Sequence, residues 1–124
     1  MLMLDTHIVV ALYQGKLAGL SSKALAAIDQ EPLAMSPIVL LELELLHEIG
    51  RLRLGANPIA DYLARELEVS VATERYAEVI AQALSLAYTR DPFDRLIVAH
   101  AALLKAPLLT LDETLHQHYA RALS

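Results

Sequence analysis

Residues 104–112, LKAPLLTLD, contain the transition that decides the fold of this chain. Pro107 stops the helical pattern that precedes it, because proline lacks the backbone N–H that would continue a helix. Residues 108–111 then form a short apolar run, the pattern of a buried strand, and this run ends directly at Asp112. A helix followed at once by a short buried strand indicates an α/β domain.

The same alternation continues in both directions from this stretch. Apolar or β-branched runs predict further strands at residues 1–4, 33–35 and 68–72. Helices are predicted at residues 7–14, 21–30, 37–50, 58–67, 73–88 and 91–105, with a last short helix that contains His116 and His118. The second helix can be capped by Ser21 or Ser22, and the third is expected to be capped by Ser36, which precedes Pro37. Short buried strands that alternate with helices form a parallel sheet covered on both faces. We therefore expect one domain over residues 1–124, a three-layer α/β/α fold whose central parallel sheet has four to five short strands.

The composition narrows the class of protein. The 124 residues are 56% hydrophobic but only 5% aromatic, which is typical of a helix-rich domain with a substantial core. The chain has no cysteine, which excludes a disulfide framework and a thiolate metal site. The formal net charge of −5 argues against a purely electrostatic nucleic-acid binder, but it is compatible with a nuclease whose carboxylates are neutralised by metal ions.

The sequence also predicts where the protein acts. Its start has neither a basic segment nor a small-residue cleavage site, and no apolar run approaches the length of a membrane span. We therefore expect a cytoplasmic protein without a membrane partner. The apolar excess leaves surface that a protein partner can cover.

Two of the predicted strands end directly in an aspartate, at Asp5 and at Asp112. Ligands of open parallel sheets bind beyond the carboxyl ends of the strands. An aspartate after one strand is a common turn or cap residue, but two such residues place two acids on one edge of the sheet. This edge is the candidate functional site.

Glu42 is a third candidate because of its position on a helix. Residues three and four positions away share a face with it, and here all of them (38, 39, 45 and 46) are apolar. The same spacing gives Glu44 a half-polar face, so Glu44 is expected to face water. An acid that points toward the core needs a partner, because burying an unpaired carboxylate is costly. No lysine or arginine lies within a turn of Glu42.

The helix start in RDPFDRLIVAHA, residues 90–101, supplies the fourth acid. Asp91 followed by Pro92 is an N-cap with proline at the first helical position. Asp94, at the third helical position, is therefore free to reach the site. Oxygen ligands of this kind bind hard cations such as Mg²⁺ or Mn²⁺. The predicted metal site consists of Asp5, Glu42, Asp94 and Asp112.

These segments carry a resemblance to a known family. LDTH at residues 4–7, SPIVLLELELL around Glu42, RDPFDRLIVAHA and LLTLDETL at residues 108–115 resemble PIN-domain proteins, specifically the small bacterial and archaeal VapC-type toxins. The four acids fall on the acidic positions of the family, and Thr6 and Thr110 match its habitual hydroxyl positions, which support the acids. Many relatives carry a tryptophan after the first motif, where this chain has Ala11 and Leu12.

The resemblance implies a magnesium- or manganese-dependent endoribonuclease that hydrolyses RNA phosphodiester bonds. It also implies a type II toxin–antitoxin pair, with a homodimeric toxin held inactive by a small cognate antitoxin. Asp5, Asp94 and Asp112 would be direct or water-mediated metal ligands, and Glu42 either a ligand or the group that orients the attacking water. The alternative is a non-catalytic PIN-like module that binds RNA or protein.

Several other polar residues have an ordinary structural interpretation. His116 and His118, two positions apart on a helix, face different sides and are expected at the surface. His100, among alanines and leucines, is expected in the core or at an interface. Four basic residues are either candidates for RNA phosphate contacts or ordinary residues of the solvated surface: Arg51, Arg53, Arg90 and Arg95. Receiver domains and haloacid-dehalogenase-like phosphatases need a further acid close after the first, where this chain has Thr6 and His7.

Overall fold

Five short strands alternate with seven helices along the chain, and the computed structural model describes all 124 residues. The elements are β1 (Leu2–Leu4), α1 (Thr6–Gln14), α2 (Ser22–Gln30), β2 (Leu33–Met35), α3 (Pro37–Glu48), α4 (Ala56–Leu67), β3 (Ser70–Val71), α5 (Tyr76–Ala83), α6 (Pro92–Leu103), β4 (Leu108–Leu109), α7 (Glu113–His118) and β5 (Ala122–Leu123). The predicted three-layer α/β/α arrangement around a parallel sheet is confirmed.

The sheet has the strand order β3-β2-β1-β4-β5, and all neighbouring strands are parallel. β1 lies at the centre, with Met3 opposite Ala34 on one side and Leu108 on the other. The chain builds outward from β1 to β3 and then crosses to the other side of β1 for β4 and β5. Right-handed crossovers in both directions place helices on both faces of the sheet. The point where the strand order reverses, between β1 and β4, is where ligands of such sheets bind.

The core lies at the central strands. Every residue of β1, β2 and β4 is buried, as expected for parallel strands covered on both faces. On one side α1, α3 and α4 pack against one another, while α5 packs along α6. α6 also contacts α3, so the two helices that carry Glu42 and Asp94 lie against each other. No helix has both the length and the apolar character needed to cross a membrane.

The structure differs from the prediction at one strand, β5, and at the ends of two helices, α4 and α5. β5 at the carboxyl terminus was not among the strands predicted individually, because two partly buried residues leave no recognisable alternation. α4 begins at Ala56 with Gly55 as its N-cap, so Pro58 sits inside the first turn rather than at its start. α5 begins only at Tyr76 and ends at Ala83, because a left-handed residue precedes it and turns follow it.

Candidate active site

A cavity of about 390 Å³ lies at the carboxyl ends of β1 and β4. All four acids predicted from the sequence line it: Asp5, Glu42, Asp94 and Asp112. Thr6, His7 and Arg51 also contribute to the wall. The four acids belong to four different elements: two follow the ends of strands β1 and β4, one lies in the middle of α3, and one lies in the first turn of α6.

Asp5 is held in one orientation by hydrogen bonds to both of its oxygens. The backbone N–H of Thr6 donates to Oδ1 at 2.8 Å, and Thr110 Oγ1 donates to Oδ2 at 2.6 Å. The Nδ1 atom of His7 lies 3.4 Å from the same Oδ2. Asp5 is only 3% exposed, so these contacts fix a buried carboxylate at the base of the cavity.

Thr110 joins two of the acids. While its hydroxyl donates to Asp5, its oxygen accepts the backbone N–H of Asp112 at 3.0 Å. The Oδ1 atom of Asp112 in turn accepts from the Leu115 N–H at 3.0 Å and caps α7. The strand ends that carry Asp5 and Asp112 are therefore linked by one buried hydroxyl.

Thr6 connects Asp5 to Glu42. The Thr6 backbone contacts Asp5, and its hydroxyl donates to Glu42 Oε1. The pKa of Glu42 is raised by burial and, to a smaller extent, by the charges of Asp5 and Asp91, while the Thr6 hydrogen bond opposes this shift. The core-facing position predicted for Glu42 is thus a half-buried position on the cavity wall.

Asp94 is a partly buried carboxyl group with several other acids nearby. Asp91 caps α6 by accepting the N–H groups of Phe93 at 2.8 Å and Asp94 at 3.2 Å, as predicted. The Asp94 side chain is in none of the four ion pairs of the structure. Burial, together with the charges of the nearby acids, raises its pKa to about 7; these acids are Asp91, Asp5, Asp112 and Glu42. No ion pair within the fold offsets the burial and the neighbouring charges of this carboxyl group.

The donor set fits a hard divalent cation bound by few protein ligands. The four side chains offer only carboxylate oxygens, which Mg²⁺ and Mn²⁺ prefer. No group of three or more acidic or histidine side chains converges closely enough to form a ready metal cage. The arrangement therefore suits an ion held by one or two carboxylates, with water or phosphate oxygens completing its coordination.

Two residues, of which only His7 lies on the cavity wall, make contacts that the sequence did not reveal. His7 accepts the Leu111 backbone N–H through Nε2 at 2.8 Å, so its proton resides on Nδ1, which faces Asp5. Tyr88, in the turn before α6, has a buried hydroxyl without a hydrogen-bond partner, and its ring stacks on His118 with centroids 4.2 Å apart. Burial and the charges of Asp94 and Asp112 raise the pKa of Tyr88. Both roles depend on contacts between distant segments.

Other predicted polar residues lie away from the cavity. His100 is fully buried, as expected, and its Nδ1 lies 2.8 Å from Ser36 Oγ. Ser36 was expected to cap α3, but its hydroxyl makes this contact instead. Arg95 donates to the carbonyl oxygen of Ala83 at 2.9 Å, so its guanidinium is used within the fold.

The family model described as "PIN domain" matches residues 2–121 of the sequence. Among solved structures, VapBC2 from Rickettsia felis bound to a DNA fragment from its promoter is similar, with 20% identity, coverage of 98% of this chain and 95% of that chain, and a TM-score of 0.65. VapBC-1 from nontypeable Haemophilus influenzae has 19% identity, 98% and 94% coverage, and a TM-score of 0.65. A toxin–antitoxin complex from Klebsiella pneumoniae has 17% identity, 93% and 90% coverage, and a TM-score of 0.62.

No curated protein matches the sequence. At these identities the structural matches establish the fold, which agrees with the parallel sheet and its strand-end acids. The family model, in contrast, compares the sequence itself and spans nearly all of it. This chain belongs to the PIN domain family.

Proposed function

We propose that this protein is a divalent-metal-dependent endoribonuclease, using Mg²⁺ or Mn²⁺, and the VapC-type toxin of a type II toxin–antitoxin pair. The observation that carries the proposal is the meeting of Asp5, Glu42, Asp94 and Asp112 in one cavity, with the pKa of Asp94 raised to about 7. The mutual repulsion of these four carboxylates destabilises the folded protein unless a bound cation or a proton offsets it. The similar VapBC structures support the assignment to a toxin–antitoxin pair.

In the proposed reaction, the attacking water gives up a proton and its oxygen bonds to phosphorus as the P–O bond to the leaving oxygen breaks, and the leaving oxygen takes up a proton. A bound divalent cation supplies positive charge to the phosphate and lowers the pKa of the attacking water. Asp5, fixed by the hydroxyl of Thr110 and the backbone of Thr6, would hold the cation. Asp94 and Asp112 would complete the carboxylate set directly or through water.

Glu42 has two candidate roles in this scheme, as a further ligand or as the group that orients the attacking water. The Thr6 hydroxyl occupies its Oε1, which leaves Oε2 for either role. Burial raises the pKa of Glu42, and the hydrogen bond from Thr6 opposes this shift.

Cleavage of a labelled single-stranded RNA tests the proposal. We expect cleavage with Mg²⁺ or Mn²⁺, none in chelator, and a loss of about 10²-fold or more in Asp94→Asn, the size seen when one charged or hydrogen-bonding group of an active site is removed. Asp61→Asn, an exposed acid on α4, is the matched control and should retain full activity. Cleavage at full rate in chelator would contradict metal dependence. RNA binding without cleavage under any metal would favour the non-catalytic PIN-like module.

The proposed partner is a small cognate antitoxin whose basic residue enters the acidic cavity. An arginine suits this role, since its guanidinium pairs with carboxylates through two hydrogen bonds. Such a residue competes with the cation, so inhibition should weaken as Mg²⁺ rises. Full inhibition by an antitoxin segment stripped of every basic residue would disprove this mode of binding.

The proposed assembly is a homodimer. The surface exposes large apolar side chains, among them Leu84 at 76% and Ile49 at 68%, which favours burial against another chain. Light scattering should give a mass near twice the 13.6 kDa of one chain. A monomer at every concentration tested would exclude the dimer.

A further inference from the structure

Arg51 is the one cation on the wall of the acidic cavity. The chain has ten lysines and arginines, and the other nine lie outside this wall. Arg51 is exposed and takes part in none of the ion pairs of the structure. A guanidinium beside four carboxylates, without a partner among them, is available to an incoming anion.

The loop that presents Arg51 is held by its backbone. Leu46 O accepts the N–H groups of Arg51 at 2.9 Å and of Leu52 at 3.3 Å. The Nδ1 atom of His47 lies 2.9 Å from the carbonyl oxygen of Leu52, whose side chain is buried in the core. Gly50 permits the turn with a φ of 83°. The main chain of the loop is thus fixed, while the Arg51 guanidinium takes part in no hydrogen bond or ion pair within the fold.

The other three arginines considered for RNA contacts differ from Arg51. Arg95 donates to main-chain oxygens at the end of α5, and Arg90 donates to Ala87 O at 3.1 Å. Arg53 is exposed on the same loop as Arg51 but outside the cavity wall. These contacts leave Arg51 as the guanidinium that an RNA strand in the cavity would meet.

We propose that Arg51 binds a backbone phosphate of the RNA strand next to the scissile phosphate and so positions the strand over the carboxylates. This inference rests on the proposed ribonuclease function. A chain with a net charge of −5 repels a polyanion, and the metal alone offsets this repulsion only at the bond that is cut. A guanidinium at the rim adds a second fixed point, because its planar donors match phosphate oxygens in pairs.

The experiment measures binding of a labelled single-stranded RNA to the Asp94→Asn chain, which removes cleavage from the readout. Arg51→Gln, Arg51→Lys and Arg53→Gln are made on this background, and affinity is followed over a range of salt. We expect Arg51→Gln to weaken binding about tenfold or more, as for a lost charge-assisted hydrogen bond. It should also lower the slope of log affinity against log salt by about 0.7, the value for one phosphate contact on a single strand.

The control variants separate this contact from general charge effects. Arg51→Lys should keep the salt slope and recover part of the affinity, because a lysine keeps the charge but not the paired geometry. Arg53→Gln should leave both quantities close to those of the parent. Thermal melting should be the same for all variants, since the exposed Arg51 guanidinium makes no hydrogen bond or ion pair within the fold.

Equal affinity and slope in Arg51→Gln and Arg53→Gln would overturn the inference while leaving the ribonuclease proposal intact. A loss of affinity with an unchanged salt slope would also overturn it, because the contact would then not be to phosphate. Failure of the parent chain to bind RNA at all would instead overturn the proposed function, and this inference with it.

Discussion

Asp94 carries a charge that the folded protein does not offset. Its folded-state pKa of about 7 lies above the reference value of 3.8, mainly because of burial. The folded protein therefore binds this proton more tightly than the unfolded chain does. As a result, the free energy of unfolding in metal-free buffer should fall as pH rises from about 4 through about 7 and then level off.

Removing this charge should stabilise the metal-free protein. We expect Asp94→Asn to raise the free energy of unfolding at pH 8 by about 1–2 kcal/mol, a figure reduced from the full shift because solvent screens a half-exposed carboxylate. At pH 4 the gain should nearly vanish, because Asp94 is then protonated in the wild type. Urea unfolding in chelator at both pH values measures the difference.

Asp61→Asn on the exposed surface of α4 provides the comparison and should change little at either pH. A loss of stability in Asp94→Asn at pH 8 would mean that the carboxylate has a favourable partner within the fold, and the interpretation of the site as charge-deficient would be wrong.

At the level of elements, the caps were predicted with mixed success. Asp91 caps α6 as expected, and the Ser21 hydroxyl accepts the Ala24 N–H at 3.1 Å at the start of α2. Ser36 precedes a proline in the same way, yet its hydroxyl contacts His100. A helix cap depends on residues that are neighbours in sequence, so it can be predicted from a short stretch. The hydrogen-bond partner of the Ser36 hydroxyl, in contrast, lies 64 positions away along the chain.

The contact between Ser36 and His100 should stabilise the packing of α6 against the start of α3. Both residues are fully buried, and His100 Nε2 already lacks a partner, so Ser36→Ala would leave the ring with no hydrogen bond. We expect a loss of about 1–3 kcal/mol in the free energy of unfolding, the cost of an unpaired buried polar group. Ser22→Ala, at the exposed first position of α2, should stay within about 0.5 kcal/mol of the wild type in the same urea titration. Equal effects in the two variants would show that the Ser36 contact contributes nothing.

At the scale of the whole molecule, the fold and the four acids of the cavity were predictable because each rests on a repeated local pattern. Apolar runs that end in aspartate define strand ends, and helical spacing places Glu42 on an apolar face. Glu44, which was expected to face water, is instead half-buried and accepts the Ala56 N–H at 2.9 Å. The strand order was not predictable from such patterns, because it depends on which crossover each helix makes. The contact of His7 with Leu111 and the place of Arg51 on the cavity wall follow from that order, since segments distant in sequence meet only once the sheet is assembled.

The same charge deficit predicts how metal should act on the stability of the whole protein. A cation that binds the folded state and not the unfolded chain raises the free energy of unfolding, by about 2.7 kcal/mol when its concentration is one hundred times its dissociation constant. Protons compete for Asp94 below its pKa of about 7, so the stabilisation by Mn²⁺ or Mg²⁺ should be large at pH 8 and small at pH 5.

Thermal unfolding with metal, and with sodium chloride at matched ionic strength, separates specific binding from screening. In Asp94→Asn the metal-dependent part should shrink at pH 8 toward its value at pH 5. An equal metal response in the wild type and in Asp94→Asn at both pH values would place the cation away from Asp94, and sodium chloride that matched the effect of the metal would leave no specific cation site in the cavity.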